Sequence, residues 1–343
     1  MSRLEERYRT VLRLLPAGYR ARWENEMVAV LLESMERDDP EEAEFVRDYG
    51  RPSWSEVGSV AALALRLRLG GAGTPRSLTW GAAVRLAVLM ALLAHAVAGT
   101  VGAGLRLWLA GALPWLPEPP GAWTAPTPSG FWSVAADLSG LVWLAAYLSF
   151  LFGHRAAGRA LIGLAMVPGA IAAVLSTVDI VGGPPEAAIA SWVFLLADGV
   201  LLLATTAFQP GGTGPERIRP WLWALPVGTA AMAAFAFAGS VTAMLLDLAG
   251  LYAVLVVAAA LAYLGGAALR LAGPTPEWSL ALLVLAASTL GLRLVTLVDY
   301  ALLDPASGHA WLAAGAAEAV ALLAVGAPLA VLAARGLPRG VPA

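Results

Sequence analysis

Eight stretches rich in Ala, Leu, Val and Gly, each roughly 20 residues or more, recur along this 343-residue chain, long enough for a helix to cross a bilayer. They lie at about 82–111, 131–153, 157–178, 188–208, 221–245, 248–269, 279–301 and 310–334. In lipid, the backbone polar groups of such a stretch have to be satisfied within it, so each is expected to be a helix. The expected fold class is all-α: a polytopic membrane helix bundle with eight transmembrane helices. Charged residues make up 13% of the chain, about half the share of a soluble domain, which excludes one soluble globule.

Charge divides the chain. Residues 1–79 hold 12 of the 22 basic residues and 13 of the 24 acids, and a Gly/Pro-rich break near 70–75 follows. We expect a cytoplasmic helical head over 1–79, a first four-helix membrane half over 80–215, and a second half with a short cytoplasmic tail over 216–343. The N-terminus is charged and amphipathic, so no signal peptide is expected. Ser2-x-x-Glu5 is a capping-box pattern, after which Leu4, Tyr8, Val11, Leu12 and Leu15 share one face. Pro16-Ala17-Gly18 is expected to turn the chain, and Tyr19, Trp23, Met27, Val30 and Leu31 form a second stripe. An acidic helix is expected over 40–49. Ser53-x-x-Glu56 opens a fourth, whose end over 63–69 is expected on the membrane surface with Arg66 and Arg68 toward headgroups.

Arginine in the short loops sets the orientation. Arg155, Arg159, Arg217, Arg219, Arg270, Arg335 and Arg339 fall in alternate loops and the tail, on the side of the head. This predicts a multi-pass protein of the cell membrane with both termini cytoplasmic. Trp80, Trp132, Trp192, Trp221, Trp278 and Trp311 stand near span ends as interfacial anchors.

Four sequence blocks recur in order. Residues 96–105 match 236–245, Asp137-Leu-Ser-Gly-Leu141 matches Asp247-Leu-Ala-Gly-Leu251, Leu175–Asp179 matches Val295–Asp299, and Ala197–Ala204 matches Ala317–Ala324. Both halves start from the cytoplasm, so a 4+4 parallel tandem repeat is expected, its pseudo-two-fold axis along the membrane normal.

Ionisable groups within spans are costly and are functional candidates by default. The candidate intramembrane polar site is Asp198, Arg293, Glu318 and His95. By helix rise Asp198 and Glu318, which the repeat makes equivalent, lie roughly 15 Å from the outer surface. Arg293 has Ala173 as its repeat counterpart. It is expected either to hold helices together through an ion pair with Glu318 or Asp198, or to accompany a substrate or proton site built on those two acids. His95 is expected to hydrogen-bond a neighbouring helix. Asp137, Asp179, Asp247 and Asp299 are boundary acids at solvated span ends, and Arg85 and Arg106 are expected to snorkel. Ser176-Thr177, Thr205-Thr206 and Ser288-Thr289 are expected to bond between helices.

Several chemistries are excluded. No cysteine removes disulfides and thiolate sites, and every basic residue is arginine, so no lysine-dependent P-loop exists. Neither a paired-histidine zinc motif nor a nucleophile elbow occurs, and the net charge of -2 offers nucleic acid no basic field. No enzyme activity, cofactor or metal is expected. The expected partners are the lipid bilayer and, through the N-terminal helices, a cytoplasmic protein.

Tyr8-Arg-Thr-Val-Leu-Arg-Leu-Leu-Pro-Ala-Gly-Tyr-Arg-Ala-Arg-Trp-Glu-Asn-Glu-Met27 resembles the permease prefix segment of bacterial ABC-type export permeases. The stretch Val60–Gly73 followed by Trp80-Gly81 is similar to an actinobacterial multi-pass integral membrane protein family. The resemblance covers roughly the first 100 residues. The body departs from the usual permease pattern of four spans and a large extracytoplasmic domain. The resemblance implies association with PadR-type transcriptional regulators in an envelope-stress system. Two functions are therefore expected as alternatives: a permease-like or transporter-like body with a protein-docking head, or a non-transporting membrane sensor or assembly partner.

Overall fold

Uncharged runs of Ala, Leu and Val leave the backbone to bond itself. The computed structural model describes residues 2–34, 49–71, 75–109, 111–116, 118, 131–177, 185–208, 218–237, 248–271, 273–302 and 305–337, and these form helices and no strand. The chain falls into two compact units, Met1–Ala82 with Leu337–Ala343, and Ala83–Gly336.

In the first unit, α1 (Arg3–Leu12), α2 (Ala17–Ser34) and α3 (Trp54–Arg66) surround a small core of Tyr8, Leu12, Leu15, Val28, Leu31, Val60 and Ala64. Burial and, second, the Glu56 carboxylate push the Tyr8 phenol above its ordinary range. The capping box at Ser53 is complete: its hydroxyl accepts from the Glu56 N–H while the Glu56 carboxylate accepts from the Ser53 N–H. At Ser2 only half forms. The Ser2 hydroxyl accepts from the Glu5 N–H, but the Glu5 carboxylate is drawn to Arg9, 3.1 Å away.

Two expectations for the head are corrected. Ala17 and Gly18 do not turn the chain but begin α2, the turn falling over 13–16. Of the expected stripe on α2, Leu31 is buried and Tyr19 and Met27 pack against the core, but Val30 is exposed and Val28 is buried in its stead. Arg68, which is exposed, donates to the Leu14 carbonyl at 2.9 Å, tying the π turn Leu67–Gly71 to the end of the first helix. The acidic helix expected over 40–49 lies outside the described residues, apart from Tyr49.

The membrane body consists of α4 (Pro75–Leu109), α5 (Phe131–Leu151), α6 (Arg155–Thr177), α7 (Pro185–Ala204), α8 (Ile218–Phe237), α9 (Leu248–Ala268), α10 (Pro276–Leu302) and α11 (Pro305–Gly336). Six of these, α4, α6, α7, α9, α10 and α11, contain described stretches long and apolar enough to cross a membrane. The chain is a helical membrane protein of the multi-pass kind. Helices α5 and α8, also apolar, occupy the places of the other two expected spans.

Packing is inverted relative to a soluble globule. Ala146, Ala173, Ala253, Ala260 and Ala281 have no exposed surface, while Leu164, Leu196, Val200, Leu203, Leu261, Val320 and Leu323 face outward. Small residues let helix backbones approach, and lipid solvates the large aliphatic side chains. The closest approach joins α4 and α5: a Cβ on Gly99 would overlap the Gly140 carbonyl.

Contacts also sort the helix ends. The Tyr147 hydroxyl at the end of α5 donates to the Trp221 carbonyl at the start of α8 (2.7 Å), and Trp221 stacks on Trp278 at the start of α10. At the other end, Trp192 near the start of α7 donates to the Thr177 hydroxyl closing α6 (2.8 Å).

Candidate functional site

Asp198, Arg293, Glu318 and His95 meet as two pairs of different chemistry.

The first pair joins α10 to α11. Arg293 is 0% exposed, and its guanidinium Nη2 lies 2.8 Å from Glu318 Oε2. Nη1 donates to Thr296 Oγ1 (3.2 Å), whose hydroxyl donates back to the Arg293 carbonyl (3.0 Å). Space for the planar group comes from Gly315, three residues before Glu318. A Cβ there would stand 3.0 Å from Arg293 Nε and 2.8 Å from Leu297 Cδ2. A guanidinium keeps its proton in any protein setting, so this charge is fixed and Glu318 is held as its counterion.

The second pair is built on His95 of α4. Its ring stacks on Trp143 of α5, centroids 4.0 Å apart and planes 14° from parallel. Nδ1 lies 2.8 Å from the Tyr252 hydroxyl of α9, and Nε2 lies 3.4 Å from Asp198 Oδ1 of α7. Four helices, α4, α5, α7 and α9, therefore converge on one imidazole. With neutral His95, the assignment that serves both neighbours puts the proton on Nε2, facing the carboxylate, while Nδ1 accepts from Tyr252. The 3.4 Å separation exceeds an ordinary N–H···O bond, leaving an electrostatic contact. Protonation makes both ring nitrogens donors, so the Tyr252 hydroxyl has to turn and accept, and Asp198 faces a full positive charge. The Trp143 face favours that imidazolium. Asp198 keeps 26% of its side chain exposed, so unlike Arg293 it remains reachable.

Other expected positions fall elsewhere. Asp179 and Asp247 lie outside the described residues, as do the side chains of Asp137 and Asp299, although the backbones of these two are on α5 and α10. Arg85 reaches the Ala207 carbonyl at 3.5 Å. The hydroxyls of Ser176, Thr177, Thr205 and Thr206 donate to carbonyls of their own helices rather than between helices. The oxygens of Thr177 and Thr205 nevertheless accept from Trp192 and Arg159 on neighbouring elements. His154 and His309 are exposed and do not take part in either pair.

Trp143, Tyr252, Thr296 and Gly315 were missed by sequence reasoning. Trp143 gave a usable signal, since an indole in mid-span is displaced from the interfacial belt. Tyr252, near the start of its span, reads as an ordinary interfacial tyrosine.

Comparison of the chain with protein-family models, with curated proteins and with solved structures finds no match in any of the three.

Proposed function

We propose that this chain is a permease-like protein of the cell membrane, eight spans in a 4+4 parallel repeat, with His95 and Asp198 as its protonation site. The observation that carries this reading is the unequal treatment of two equivalent acids. Glu318 meets the permanent charge of Arg293, whereas Asp198, whose α6 neighbour at the corresponding place is Ala173, meets the titratable His95. One half holds its charge fixed; the other has an imidazole that is able to take up and release a proton. His95 also links the halves through Tyr252, so a proton at this site alters a contact between them. Intramembrane acid–histidine chains of this kind suit proton relays in transporters.

The repeat draws support from Gly99 and Gly140, whose counterparts in the matching blocks are Gly239 and Gly250. The sorted helix ends support alternate crossings: the start of α8 meets the end of α5, and the end of α6 meets the start of α7. The likeness of residues 8–27 to a permease prefix points the same way.

A hydrophobic carbodiimide, which modifies protonated carboxyls in membranes, tests the site in full-length protein in lipid vesicles. Asp198 is expected to be labelled, Glu318 to be spared, and His95→Gln to change the extent of Asp198 labelling. Labelling of Glu318 as readily as Asp198 would contradict the assignment. With a pH dye inside the vesicles, wild type is expected to pass protons under an imposed gradient and Asp198→Asn is not. Equal rates would count against transport through this site.

A second reading, a membrane sensor or assembly partner, is favoured by a groove of about 820 Å³ on the head. Tyr19, Trp23 and Leu65 line it, together with Arg22, Arg68 and Arg76, which suits a protein segment carrying both apolar and acidic side chains.

A further inference from the structure

Three arginines from two helices converge on the turn that closes α7. Arg85 of α4 donates to the Ala207 carbonyl (3.5 Å), and Arg155 of α6 to the Phe208 carbonyl (3.4 Å). Arg159 of α6 donates from Nη2 to the Thr205 carbonyl (3.0 Å) and from Nε to the Thr205 hydroxyl (3.2 Å). Arg85 and Arg155 are near enough for each to feel the other's charge.

Capping a helix end does not require this much charge. The last carbonyls of a helix carry about half a negative charge, which one guanidinium outweighs. Three are present, all half-buried, and Arg85 and Arg159 meet only carbonyl and hydroxyl oxygens among the described residues. Each guanidinium has five N–H donors in a planar fork; Arg85 spends one here and Arg159 two. Arg85 and Arg159 therefore retain positive charge and unspent donors at the bundle end toward which the loop arginines are expected to face.

The surface beside it is apolar. Leu164, Val167 and Val174 form an exposed stripe along α6, and Trp192, Leu196, Val200 and Leu203 form another along α7. Both helices run from the arginine-bearing turn toward the other end of the bundle. A ligand with a phosphate at one end and acyl chains at the other matches this arrangement, since basic pockets among membrane helices bind anionic headgroups. A free phosphate would make no use of the two stripes.

We propose that Arg85, Arg155 and Arg159, gathered on the Thr205–Phe208 turn, form a site for the phosphate of an anionic phospholipid. The guanidinium forks hold the phosphate oxygens, and the acyl chains lie along the outward faces of α6 and α7. This site is separate from the His95–Asp198 pair and does not depend on transport.

The test is native mass spectrometry of the full-length protein in detergent with phosphatidylglycerol or phosphatidylcholine of identical acyl chains. Wild type is expected to retain phosphatidylglycerol preferentially. The double variant Arg85→Gln/Arg159→Gln is expected to bind it about thirtyfold more weakly, the joint contribution of two cations at a headgroup surface. Arg159→Lys, which keeps the charge, is expected to retain the preference. Equal retention of the two lipids by wild type overturns the proposal, whether or not the double variant folds, as does an undiminished preference in a folded double variant. Inorganic phosphate is the second arm: if it displaces phosphatidylglycerol at equal concentration, the site recognises a free anion and the lipid assignment falls.

Discussion

Arg293 cannot shed its charge, and that makes its two-residue partnership unequal. When Arg293→Ala removes the cation, Glu318 neutralises itself by taking up a proton. When Glu318→Ala removes the acid, a guanidinium with no exposed surface is stranded. Breaking a buried pair from one side costs about 3–5 kcal/mol, and the greater part of that loss is expected in Glu318→Ala. Thermal melting in detergent should rank Glu318→Ala below Arg293→Ala, with the double variant recovering part of the loss; strict additivity would refute the pair. This contact was legible in the sequence because a lone arginine amid Leu and Val demands an acid at similar depth. Tyr252 and Trp143 were not legible around His95, since neither is charged and nothing in spacing announces which helix faces an imidazole. The four bonds to the Thr205–Phe208 turn were hidden for a similar reason: their acceptors are mostly backbone carbonyls, which every residue has.

Between elements, helix contact depends on where side chains are missing. Gly99 on α4 stands against Gly140 on α5, while Gly102, one turn along the same helix, has nothing near its absent Cβ. Gly99→Ala is therefore expected to force the helices apart and destabilise by about 1–3 kcal/mol or more. Gly102→Ala should be neutral or stabilise by up to about 1 kcal/mol through helix propensity. Melting temperatures of the two single variants check this directly, and equal effects would contradict the close approach. Helix existence was legible from the length of the apolar runs, and Ser53 from its capping box. The face of α2 was legible at Tyr19, Met27 and Leu31 but not in the choice of Val28 over Val30, two residues apart and equally apolar. The half-formed box at Ser2 likewise depends on Arg9, whose pull on Glu5 the capping pattern does not include. Gly99 and Gly140 were visible only as members of repeated blocks, not as a contact.

At the scale of the whole molecule, an inside lined with alanine and an outside covered with leucine and valine describe a body solvated by lipid. The membrane class was legible from composition, but the number of crossings rests on loop arginines and on which helix ends meet. In the proposed topology an even number returns the chain to its starting side, so both halves would enter from the head's side and the repeat would be parallel. That topology would also place Asp198 and Glu318 at matching depth and the Arg85–Arg155–Arg159 cluster on the cytoplasmic face. The chain has no cysteine, which makes single introduced thiols unambiguous reporters of side. Labelling Pro120→Cys and Gly212→Cys in intact cells with a membrane-impermeant maleimide is the most direct measurement. Pro120→Cys is expected to be labelled from outside, and Gly212→Cys only after the membrane is permeabilised. Labelling of Gly212→Cys in intact cells would contradict the eight-span body and the repeat built on it.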